Sequence, residues 1–165
     1  MKRWIVAVLM LCLMLSQVAP VTVDAKSKTV NGLVKVVKKY TKDYPFSSAD
    51  RVKSKKAVFG IMSSKLSKYS AYQKVETTFS AGTTEHMLFI GKAKTKANAK
   101  SCASSLRRFL TKEKSSKASG LTAEGRQLFS GVKIGSKGKW CWLIMVNSDS
   151  EANATVAKAV RKNAK

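Results

Sequence analysis

At 165 residues, with 32 basic and 9 acidic side chains and a formal charge of +23, the chain reads as one strongly cationic domain. That length buries a core without disulfide or metal staples, and the charge attracts polyanions at a cost in self-repulsion. Its cations are 26 Lys against 6 Arg, which argues against a sequence-specific nucleic-acid reader, because bidentate phosphate and base recognition favours arginine.

Residues 1–25 read as a secretory signal peptide. Lys2 and Arg3 form the positive n-region, Trp4 to Leu15 an apolar h-region, and Val23-Asp24-Ala25 a small-residue cleavage site. The h-region is shorter than the roughly 20 residues that span a bilayer. An exported chain cleaved near Ala25 is therefore expected, with no stable membrane insertion afterwards. The domain then runs over 26–165, with a charge of +22 once Lys2, Arg3 and Asp24 are removed.

Val30, Leu33, Val34, Val37 and Tyr40 recur at helical spacing, and Tyr44-Pro45 ends that helix. Ser47-Ser48-Ala49-Asp50 has the form of a capping box and predicts a second helix over Ser48 to Phe59. Ser63 to Ser70 is weakly patterned and reads as a turn or half-helix pinned by Leu66 and Tyr69. Tyr72 to Ser80 alternates as a half-exposed strand, and Ala81-Gly82-Thr83 turns it into a strand over Glu85 to Ala93. Met87 to Ile90 is apolar on both faces, which predicts a central strand.

Thr95 is the expected N-cap of a long helix with the stripe Ala99, Cys102, Ala103, Leu106, Phe109 and Leu110. Lys112 to Gly120 reads as a polar loop. Leu128, Ser130, Val132 and Ile134 alternate as a strand, with a turn at Gly135 to Gly138. Lys139 to Asn147 is the strongest strand signal, with Trp140, Trp142, Ile144 and Val146 on one face. Ser148-Asp149-Ser150-Glu151 caps a closing helix. The expected fold is α+β, a mainly antiparallel sheet of about four strands with helices packed on it, in the order α-α-β-β-α-β-β-α.

Three stretches carry a resemblance: T-T-E-H-M-L-F-I-G-K-A-K, A-N-A-K-S-C-A-S-S-L-R-R-F-L, and V-K-I-G-S-K-G-K-W-C-W-L-I-M-V-N-S-D-S-E. Together, over about Val75 to Val160, they resemble the family catalogued as domain of unknown function 4358. The resemblance implies a small exported protein of Gram-positive origin and carries no activity with it. This chain departs from the family tendency by its basicity and by lacking a lipid-attachment Cys.

Glu85-His86 is an acid–imidazole neighbour pair, but adjacent strand residues point to opposite faces. It serves a secreted hydrolase or transferase reading poorly, although that reading stands as an alternative, as does extracellular nucleic-acid binding. No zinc spacing and no cofactor motif is present. Cys102 and Cys141 are expected as two buried thiols, because packed layers about 10 Å apart exceed the usual reach of a disulfide, with a bridge in an exported chain as the alternative. The basic ridge Lys96, Lys100, Arg107 and Lys114, together with Lys137 and Lys139, is the expected contact for an anionic cell-wall polymer or other polyanion. Trp140 and Trp142 become a stacking platform if their face is open, and core residues if the closing helices cover it, which large aromatics favour. The expected function is therefore a non-catalytic, exported, monomeric basic domain of the cell envelope.

Overall fold

The computed structural model describes residues 29–41 and 46–164, so the signal peptide expected over 1–25 lies outside the described residues. Helix α1 spans Val30–Tyr40, the two-residue strands β1 and β2 are Ala57–Val58 and Ile61–Met62, and the long strands β3 and β4 are Leu66–Thr78 and Gly82–Ala93. Helices α2 (Lys96–Lys117) and α3 (Ala123–Gly131), strands β5 (Lys133–Lys137) and β6 (Trp140–Met145), and helix α4 (Ser150–Asn163) complete the order. Four strands form one antiparallel sheet in the order β3-β4-β6-β5. The α+β architecture and the central position of β4 follow the alternation and the apolar run that predict them.

Strand period two sorts the core into two layers. Met87 and Phe89 of β4 and Cys141, Leu143 and Met145 of β6 pack with α2, α3 and the β1–β2 hairpin. Leu88 and Ile90 of β4 and Trp140, Trp142 and Ile144 of β6 pack with α1 and α4 on the opposite face. Helices thus cover both sides of the sheet. Among the described residues no helix is long and apolar enough to cross a membrane.

Five local expectations are corrected. Ser47 to Asp50 does use capping chemistry, since Asp50 accepts from the Ser47 amide and Ser47 from the Ala49 amide. The chain then leaves the helical path, because Arg51 pairs with Tyr72 on the outer edge of β3. In place of a helix over Ser48 to Phe59, β1 and β2 are joined by Phe59-Gly60, both at positive φ (46° and 71°). A phenylalanine in that region is strained. Its ring is held between Phe109 at 5.3 Å and Phe89 at 6.4 Å, and that packing offsets the strain.

Lys112 to Gly120 is not a loop, for α2 continues to Lys117 and only Ala118–Gly120 tightens into a 3-10 turn. The weakly patterned Ser63–Lys65 is likewise a 3-10 turn, and Leu66 already belongs to β3. The strand expected at Leu128 is the helix α3, whose N-cap Thr122 accepts from the Gly125 amide. Leu128 and Phe129 are buried three and four residues after buried Gly125, a helical stripe. The last hairpin turns at Gly138 (φ 57°) rather than over Gly135 to Gly138. Gly135 lies inside β5, where a Cβ would stand 2.6 Å from the Trp142 indole. That glycine makes room for the ring.

Candidate functional site

Sheet register separates charge along the strands. The β3–β4 hairpin turns between Thr78 and Gly82, and beside it lie Glu76, opposite Thr84, and Glu85, opposite Val75. Glu113 reaches the same end, because Lys117 binds both Glu113 at 2.7 Å and Glu85 at 2.8 Å. Glu124 opens α3, whose cap residue Thr122 donates its amide to the Thr83 carbonyl. Asp149 and Glu151 open α4, just after β6 ends at Met145 opposite Met87. Every described carboxylate except Asp50 therefore lies at the hairpin end.

Among the described residues, the opposite end carries cations alone. Lys68 pairs with Lys92, Lys92 with Trp140, and Trp140 with Lys137, one row across all four strands. The Lys94 amide donates to the Lys65 carbonyl and the Ala93 amide to the Lys139 carbonyl. α2 starts here, which brings Lys96 and Lys100, and α4 ends here, with the Lys137 ammonium donating to the Arg161 carbonyl at 2.8 Å. Asp50 sits midway, its backbone carbonyl accepting from the Gln73 amide. The hydrogen bond from the Ser47 amide holds its carboxyl below the usual range.

This arrangement divides the six cations expected to meet a polyanion. Lys96, Lys100, Lys137 and Lys139 gather at the cationic end and are exposed, all but the exposed Lys100 within the ends or turns of their elements. Arg107 and Lys114 are exposed as well, but they lie along a helix that rises about 1.5 Å per residue. Lys114 stands beside Glu113 at the carboxylate end. The ridge is thus not one patch. Lys65, Lys68, Lys92 and Lys94, which sequence periodicity gives no reason to join, belong to the cationic end through strand register.

The open face that a stacking platform needs is not there, and the two rings are core. Trp140 is 1% exposed and Trp142 4% exposed, both under α1 and α4. No ring face is open to a sugar or base. The Lys92 ammonium lies 5.3 Å from the Trp140 ring centroid, a cation–π contact that ties the cationic end to the core.

Glu85 and His86 are both buried, and they diverge as strand alternation demands. Glu85 faces α2, accepting from Gln73 and Lys117. His86 points to the other layer, in register with Lys74. Burial lowers the His86 pKa from its ordinary value, outweighing the nearby Glu76 and Glu124 carboxylates, and its Nδ1 has no hydrogen-bond partner among the described residues. Neutral His86 is therefore the form the fold holds. As pH falls through about 6.5, the unfolded chain takes the proton first and the folded state loses stability. The melting temperature should fall between pH 7.5 and 5.5, and since the sequence has 1 His, a His86→Gln variant should flatten that profile. A slope unchanged by the substitution would contradict the burial of a neutral imidazole.

Cys102 on α2 and Cys141 on β6 are free and buried. The Cys141 thiol donates to the Gly91 carbonyl at 3.7 Å; the neighbouring Cys102 thiol and burial push the Cys141 pKa far up, while Cys141 lowers that of Cys102. Among the described residues no group of three His, Cys, Asp or Glu side chains is placed to hold a metal. Comparison with known proteins finds no matching family model, no matching curated protein and no matching solved structure.

Proposed function

We propose that this chain is an exported, non-catalytic binding domain that meets an anionic polymer end-on, through the carboxylate-free end. The register that gathers Lys68, Lys92, Lys137 and the neighbouring lysines, while every described carboxylate but Asp50 stays clear of them, is the observation that carries the reading. A surface that is merely solubilising intersperses the two signs. Lysine ammoniums act as solvated point charges, so the attraction follows charge density and is screened by salt over roughly 8–10 Å. The n-region and h-region, with the resemblance to the domain of unknown function 4358 family, support export. Outside a Gram-positive cell the abundant polyanions are wall polymers.

Two variants of equal net charge test this. Lys94→Gln with Lys139→Gln removes two charges from the cationic end, and Lys112→Gln with Lys114→Gln removes two from the far part of α2. Near an anionic surface each lysine contributes about 1 kcal/mol, so the first variant should bind a teichoic-acid or heparin matrix roughly thirtyfold more weakly at low salt. The second should stay close to the parent. Equal weakening by both would sink the end-on geometry, and retention insensitive to salt would sink the electrostatic reading altogether.

A further inference from the structure

The cationic end is not flat. A groove of about 620 Å³ opens where the first turn of α1 (Thr29, Val30, Asn31) faces the start of β3, and Arg51, Ser63, Lys68 and Ser70 line it. A smaller hollow of about 210 Å³ shares Thr29, Val30, Ser67 and Lys68 with it and extends to Lys92. Strand pairing puts the three cations on one face. Lys68 stands opposite Lys92 and Arg51 opposite Tyr72, and Tyr72 packs in the layer beneath α1. The residues lining both hollows include no carboxylate.

Like charges directly opposite on neighbouring strands oppose folding, and an anion placed between them reverses the sign. Arg51 at the edge adds a planar fork matched to two oxygens of one tetrahedral group. Hydroxyls of Ser63 and Ser70 lie in the same lining. Two cationic stations, Arg51 at one side and Lys68 with Lys92 at the other, suit an anion with more than one charged group.

We propose that this groove is a binding site for tetrahedral oxyanions, phosphate or sulfate esters, and that a polyanionic chain is gripped there by two successive groups. The proposal deepens the polyanion reading above and rests on it.

Tripolyphosphate and a sulfated disaccharide, titrated calorimetrically into the purified protein, separate the two sources of oxyanion. Arg51→Gln with Lys68→Gln should weaken tripolyphosphate at least tenfold. Lys112→Gln with Lys114→Gln, which removes the same charge from the far part of α2, should weaken it less than twofold. Arg51 and Lys68 are exposed, so both variants should unfold cooperatively near the parent melting temperature. Tripolyphosphate should raise that temperature for the parent and not for the groove variant. Tighter binding of either probe than of the other supports the groove and identifies its ester. Equal weakening by the two variants, or no binding of either probe while the polyanion matrix still retains the protein, overturns the groove and leaves the end-on reading standing. Loss of matrix retention as well overturns both.

Discussion

Trp140→Ala should lower the unfolding free energy by about 3–5 kcal/mol, the range for truncating a large buried aromatic. Trp140 is among the largest fully buried side chains, enclosed by residues of α1 and α4 and capped at the sheet end by Lys92. Removing the indole leaves a cavity that two helices and three strands cannot all collapse around. Chemical denaturation read by circular dichroism measures the loss. An exposed stacking platform behaves in the opposite way, because substitution on an open surface usually stays within about 0.5 kcal/mol of the parent. A near-neutral Trp140→Ala that instead abolished ligand binding would restore the platform.

Lys117→Met should cost about 3 kcal/mol. Glu85 is 1% exposed, and its carboxylate oxygens are served by the Gln73 amide and the Lys117 ammonium. Breaking a buried pair from one side leaves an uncompensated charge at about 3–5 kcal/mol. The lower end applies because Lys117 itself is about a third exposed, so water screens part of the interaction. Adding Glu85→Gln to Lys117→Met removes the orphaned charge and should recover much of the loss. A double variant no more stable than Lys117→Met would show that the pair acts through packing rather than charge. Glu85 thus fixes the end of α2 to the sheet, which explains why the helix runs through a polar stretch that by composition reads as a loop. The decisive partner lies 32 positions away in sequence.

The same distinction between local and distant causes separates what was legible in the sequence from what was not. The apolar run Met87 to Ile90 announced a strand covered on both sides, and the Thr95 cap and the Ser148 to Glu151 stretch announced helix starts, because each is written in neighbouring residues. The second cap proves to be Asp149 rather than Ser148. The Ser48 to Phe59 segment misleads because its capping residues close a turn equally well, and the edge of β3 then claims Arg51. At Leu128 a period of two and a helical stripe coincide over a few residues, and the Thr122 cap decides between them. The candidate site was legible only in part. Lys96, Lys100, Lys137 and Lys139 could be named from helix faces and turns, whereas Lys68 and Lys92 become neighbours only through a register that links residues far apart in the chain.

The β3–β4 hairpin is the counterpart of the cationic end. Its tip carries Phe79, which is fully exposed, and Val75 on its flank is half exposed. A body with its carboxylates gathered at one extremity experiences a torque near an anionic surface as well as an attraction. If the chain binds a polyanion end-on as proposed, it settles with the lysines down and the hairpin up, and every adsorbed copy would display the same aromatic tip to the surrounding medium. Orientation, rather than affinity alone, is what the lengthwise sorting of charge adds.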